Sequence, residues 1–219
     1  WVLAERPHWH LWGEEYERSG NTDYFDPDAD VAVYLDPING TRLYRDGGHT
    51  FDVLASITLR GRLLATMSHM PAQAVTLAAS LERPTAWFDT GATTPRPWVA
   101  PAPADTLALY EADALRASLP PDLPIFHMLD DYRPDDLRCC LNSVFTGALG
   151  GYLFCGCPLL DVGATAFAVQ QSGGIATQPD GSALDDFEHF DPRTRRDLLV
   201  TMNPALHELI VAALTAPRG

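Results

Sequence analysis

An aspartate, an asparagine, a glycine and a threonine fall within residues 36–41, DPINGT, directly after the apolar run VAVYL. A carboxylate at the end of a buried strand, followed by a tight turn, can hold a cation beside backbone N–H groups that receive an anion. Asp36 and Asn39 lie across that turn from each other, so both side chains and the carbonyl of Ile38 can meet at one point. Gly40 lets the backbone come close to a ligand. These residue types suggest metal and phosphate chemistry.

Such a turn needs a strand before it and a frame around it. The segments FDVLASITL and RLLATMSHM, between Phe51 and Met70, read as two antiparallel strands joined at Arg60-Gly61, and residues 76–88 can continue that sheet. TTPRPWVAPAPAD, from Thr93 to Asp105, reads as a rigid extended connector and not as a domain boundary. Residues 105–118 carry helical spacing, with Asp105 as N-cap and Pro120-Pro121 as the stop. A further helix is expected over about 135–147. GYLFCG at 151–156 reads as a strand, and the helix at 162–171 ends at Gly173-Gly174. DLLVT reads as another strand, and Asn203-Pro204 opens the final helix.

Set in this frame, the chain resembles the inositol monophosphatase family, whose signature turn reads DPIDGT where this chain reads DPINGT. Gly13-Glu14-Glu15 matches the family's GEE. LLDVGATAFAVQQSGG at 159–174 matches its WDxAAG-type helix, with Asp161 as the acid and Leu160 in place of the Trp. Gly47, Phe51, Val53, Gly61 and Pro71 fall at the expected intervals, and the resemblance covers residues 11–215. It implies an α+β fold, a layered αβαβα sandwich forming one domain over residues 1–219. Because the chain begins at Trp1, the family's N-terminal helices and their acid-bearing loop are expected to be missing.

The resemblance further implies Mg2+ as cofactor, with Glu14, Asp36, the Ile38 carbonyl, Asn39 and Asp161 as ligands. Glu14 and Thr41 would activate water, Gly40 and Thr41 would hold phosphate, and Glu15 would stand behind Glu14. Three departures matter. Asn39 replaces a family Asp and removes one negative charge from the site. Phe154 stands where many relatives place a Glu that touches sugar hydroxyls. Asp135-Asp136 stand where a small turn usually approaches the substrate, which adds negative charge for Arg133 or Arg138 to offset. The expected activity is metal-dependent hydrolysis of a small sugar or nucleotide phosphate other than plain inositol phosphate. The alternative is an impaired or repurposed homologue that binds a ligand or partner without hydrolysing phosphate. Pairing as a homodimer is common among relatives, and the apolar strands here would permit it.

A net charge of -14 argues against nucleic-acid and anionic-membrane partners, which require basic surfaces. The basic residues are all Arg, so no lysine is present for Schiff-base or phosphate-loop chemistry. With no signal peptide and no apolar run that could span a bilayer, a cytoplasmic location is expected. Cys139-Cys140 and Cys155-x-Cys157 have spacings open to zinc or a disulfide, but their apolar settings favour packing. His8, His10, His49, His69, His127, His189 and His207 read as packing or surface residues. Asp26, Asp28 and Asp30 read as a solvated connector. Arg42 and Arg45 follow the turn closely enough to reach an anionic substrate.

Overall fold

The computed structural model describes residues 5–6, 8–14 and 28–217. Its first sheet follows chain order: β1 (His10–Gly13), β2 (Val31–Asn39), β3 (Asp52–Leu59), β4 (Arg62–Met70), β5 (Val75–Ser80), β6 (Ala86–Asp89) and β7 (Arg96–Pro97). β1 is parallel to β2, and the later neighbours are antiparallel. The β3–β4 hairpin turns at Arg60 and Gly61, as the sequence predicts. A short helix, α1 (Thr41–Arg45), follows β2.

The second sheet has the order β11 (Ile175–Thr177), β12 (Arg195–Thr201), β10 (Gly151–Pro158), β8 (Leu107–Tyr110) and β9 (Ile125–His127). Three further helices accompany it: α2 (Asp113–Arg116), α3 (Ser143–Thr146) and α4 (Leu159–Gln171); α5 (Pro204–Thr215) closes the chain. Alternate residues of a strand point to opposite faces. Tyr152, Phe154, Leu198 and Val200 therefore join one core with Val162, Ala166 and Phe167 of α4. Their neighbours Leu153 and Leu199 join a second core with Leu206 and Ile210 of α5.

The helix α4 lies between the sheets, touching β2 to β5 on one side and β10 to β12 on the other. Every residue from Leu159 to Val169 except Asp161 is buried. A helix this apolar on all sides has no face to give to water, so it becomes a central layer. Its end is a Schellman turn: Gly173 N–H donates to Gln170 O and Gly174 N–H to Val169 O, with Gly173 at φ 85°. At α5, Asn203 caps the helix through its side-chain oxygen, which accepts from Ala205 N and Leu206 N. The described residues thus stack as sheet, helix, sheet, helix, an α+β layered sandwich.

Two sequence expectations are corrected. Residues 105–118 are not one helix: Leu107, Ala108 and Leu109, each 0% exposed, form the strand β8 between parallel neighbours β10 and β9. A parallel strand buried on both faces reads as an unbroken apolar run, which imitated helical spacing here. Asp105 is no cap; its carboxylate accepts from Asn203 Nδ2 at 3.0 Å. Residues 135–147 are likewise broken, into a 3-10 turn at Leu137–Cys139 and the single-turn α3. Side chains there compete with the helical ladder: Asp136 accepts from Arg138 N, and the Ser143 hydroxyl donates back to the carbonyls of Leu137 and Cys140. The cysteines are free thiols, with Cys139, Cys140 and Cys157 buried. Among the described residues, no helix is long and apolar enough to cross a membrane.

Candidate functional site

The strand β2 ends in an irregularity that shapes the site. Its pairing with β3 shifts between Asp36↔Leu54 and Asn39↔Asp52, so one residue is extra on the β2 side. A bulge bends its strand and re-aims side chains. Pro37, which cannot donate to a ladder, sits within it. Asp36 Oδ1 accepts from Ile38 N at 2.9 Å, and Thr41 Oγ1 donates to Ile38 O at 3.2 Å. Gly40, at φ 82°, supplies the left-handed step into α1.

This turn forms one wall of a cavity of about 290 Å³. Glu14 enters at the end of β1, where its N–H donates to Leu35 O, and Asp161 enters from the first turn of α4. The cavity thus brings together Glu14, Asp36, Ile38, Asn39, Gly40, Thr41, Phe154 and Asp161. Asp135 is the exception. It is exposed, and its segment reaches the cavity only further on, at Cys139, Cys140 and Leu141. The charge expected from Asp136 is already offset, because Arg138 pairs with it at 2.6 Å. Glu15 and Asp26 lie outside the described residues.

Sequence reasoning missed Asp52. It is 1% exposed yet lines the cavity. Its Oδ1 accepts from Asn39 Nδ2 at 2.7 Å, and its Oδ2 accepts from the Ser68 hydroxyl and from Asn142 Nδ2. The available signal was phase: Asp52, Leu54, Ser56 and Thr58 occupy the buried side of β3, which left an acid in register with the core. Arg42 also lines the cavity, lying over the ring of Tyr132 at 4.0 Å. Tyr110, Met128, Leu141 and Phe154 form an apolar wall, with Phe154 stacked on Tyr152 at 5.1 Å.

Burial raises the carboxyls of the cavity, and at Asp36 and Asp161 neighbouring acids add to it. Burial, with added repulsion from Glu14, Asp161 and Asp52, pushes the Asp36 carboxyl up to about 7 against the pull of the Ile38 N–H. Burial and then Glu14 push Asp161 up to about 6, against Arg195. Burial pushes Asp52 up to about 6 against its hydrogen bonds. Among the described residues, no three His, Cys, Asp or Glu side chains already form a closed metal cage. The donor set nevertheless fits a hard divalent cation. It is all oxygen, from carboxylates, a carbonyl and an amide, and a cation would offset the burial that raises Asp36 and Asp161 and the repulsion that adds to it.

No protein-family model and no curated protein matches the sequence. Solved structures do match across the chain. An IMPase/NADP phosphatase complexed with Mg2+ and phosphate is 14% identical, with a TM-score of 0.68, over 100% of this chain and 77% of its own. The extragenic suppressor protein SuhB from Bartonella henselae is 16% identical, with a TM-score of 0.69, over 99% of this chain and 80% of its own. An inositol monophosphatase from Zymomonas mobilis is 20% identical, with a TM-score of 0.61, over 98% and 78%. Bulge, buried helix and paired sheets together give this chain the inositol monophosphatase fold.

Proposed function

We propose that the chain is a divalent-cation-dependent phosphomonoester hydrolase, a divergent member of the inositol monophosphatase family. One observation carries the reading: Glu14, Asp36 and Asp161, from three separate elements, open on the same cavity as the Gly40–Thr41 turn. Asp36, Asp161, Glu14, the Ile38 carbonyl and Asn39 Oδ1 would hold Mg2+. The ion would supply charge for activating water and for stabilising the leaving oxygen.

The chain's own groups do the rest. The Thr41 hydroxyl donates its hydrogen bond to the Ile38 carbonyl. Its lone pairs therefore remain to accept from a water and orient it. The amides of Gly40 and Thr41, at the head of α1, hold phosphate oxygens. Glu14, exposed at the edge of the cavity, takes the proton that the water releases. Arg42 meets the anionic substrate at the rim.

The substrate side supports a small sugar or nucleotide phosphate and disfavours inositol phosphate. Tyr110, Met128, Leu141 and Phe154 line the cavity with rings and apolar side chains against which a nucleobase or the C–H face of a sugar can pack, and Phe154 lacks the carboxylate that would hold an inositol's hydroxyls. Chains of this fold have been solved with D-inositol-1-phosphate, with NADP and with 2'AMP. A soluble, cytoplasmic homodimer belongs to the same reading.

The test is phosphate release from a panel of sugar and nucleotide monophosphates, with Mg2+ or with chelator. Turnover should require the ion, and Asp161→Asn should lower kcat/KM by at least about 100-fold. Equal turnover in chelator would sink the reading. A second reading rests on Asn39 and Phe154, the departures that line the cavity: a chain of this fold that binds its ligand without hydrolysing it. Substrate binding by calorimetry without phosphate release would favour it.

A further inference from the structure

Asn39 leaves the site one charge short of the family's turn, and a buried carboxylate stands directly beside it. After the bulge, Asn39 and Asp52 are direct cross-strand partners. Asn39 lines the cavity, and its Nδ2 is committed to Asp52 at 2.7 Å. That commitment fixes the amide, leaving Oδ1 as its polar atom for the cavity. On the far side, the Ser68 hydroxyl and Asn142 Nδ2 both donate to Asp52 Oδ2. All the neighbours of this buried carboxylate in the network are donors, so the group is built to carry charge.

We propose that Asn39 and Asp52 together replace a single acid at the cation site, with Asp52 supplying the negative charge and turning Asn39 Oδ1 toward the ion. Asp52 is a positioning residue that acts through Asn39. This rests on the reading of the cavity as a cation site.

The network dictates what substitutions do. Asp52→Asn places one amide NH2 against another, which is relieved only if Asn39 rotates and presents its own NH2 to the cavity. Asn39→Asp sets two carboxylates in contact, and like charges that close cannot both stay ionised. Making both changes reverses one hydrogen bond and keeps the rest. The new amide at 52 donates to the new carboxylate at 39, while its oxygen still accepts from Ser68 and Asn142.

The experiment titrates Mg2+ by calorimetry into the native chain, both single variants, the double variant and Asp161→Asn, with thermal melts in chelator on each. Asp52→Asn should weaken Mg2+ binding by about tenfold or more, and adding Asn39→Asp to it should return binding to within about threefold of native. Asn39→Asp should also lower the melting temperature, and the second change should restore it. A purely structural Asp52 would shift the melts in chelator but leave the Mg2+ affinity of folded Asp52→Asn at the native value. If Asp161→Asn abolishes binding but the double variant stays as weak as its weaker parent, this proposal falls and the cation site stands. If the native chain takes up no Mg2+, or Asp161→Asn changes nothing, both fall. A double variant that does not fold also overturns it, since the swap leaves each bond of the network with a donor and an acceptor.

Discussion

Asp36→Asn should abolish turnover and, in chelator, make the protein more stable. The carboxyl is 3% exposed and is pushed up to about 7 from 3.8 by burial and neighbouring acids. The folded chain therefore holds a proton, between those values, that the unfolded chain releases. Stability contributed by this group is present below the unfolded value, falls as pH rises through the window, and is fully lost above about 7. An isosteric amide has no charge to desolvate and can still accept from the Ile38 N–H. At pH 8 in chelator the gain should be on the order of 2–4 kcal/mol, or roughly 5–10 °C in Tm. At pH 5 most of that advantage should vanish. Under the proposed cation-dependent hydrolysis, phosphate release in Mg2+ should fall by at least about 100-fold, because the acid that costs stability is the one assigned to the ion. Melts at both pH values and a phosphate assay check this. An unchanged Tm in chelator at pH 8, with turnover retained, would show that Asp36 is a bystander.

The second large effect lies away from the chemistry. Gly150→Ala should leave little folded protein. A Cβ at that position would stand 2.1 Å from the Ala104 carbonyl oxygen and 2.8 Å from Leu206 Cδ2. Backbone cannot yield as a flexible side chain can, and this backbone is fixed on both sides: Gly150 N donates to Thr106 O, and Met202 N donates to Gly150 O, each at 2.9 Å. The clash falls at the start of β10, where its pairings with β8 and β12 begin. A cost of at least about 4 kcal/mol places the substitution among the severe ones. Soluble yield and a far-ultraviolet melt measure it. A variant melting within about 3 °C of native would mean that the segment at 104–106 moves aside freely.

Those two positions mark what could be read from the chain and what could not. The turn at Asp36–Thr41 was legible because its chemistry is local: acid, proline, amide, glycine and hydroxyl are neighbours in sequence and stay so in space. Asp161 was found only through the family resemblance, since a lone acid at the head of an apolar helix is equally a favourable first-turn charge. Asp52 escaped because its setting is made by partners far along the chain, Ser68 and Asn142, and by a bulge that sets its register against Asn39. Asp135 was misplaced for the related reason that its segment meets the cavity only further along, at Cys139, Cys140 and Leu141, which local sequence does not reveal. The strand at Leu107–Tyr110 was hidden by its own burial, which erases the alternation that identifies a strand. The cysteines were read as packing residues, and they do pack, yet Cys139, Cys140 and Cys157 also face the cavity.

The helix at Leu159–Gln171 is wedged between two sheets, and Asp161 rides on its first turn. A close-packed layer of this kind cannot tilt or slide without dislodging both of its neighbours. Widening the cavity by moving that helix is therefore the same event as loosening the whole sandwich. Local breathing at the acid and global opening merge into one cooperative unit, so amide protons of α4, β3 and β10 should exchange with solvent at a common rate. Occupancy of the cavity would then set how long the entire chain survives a protease.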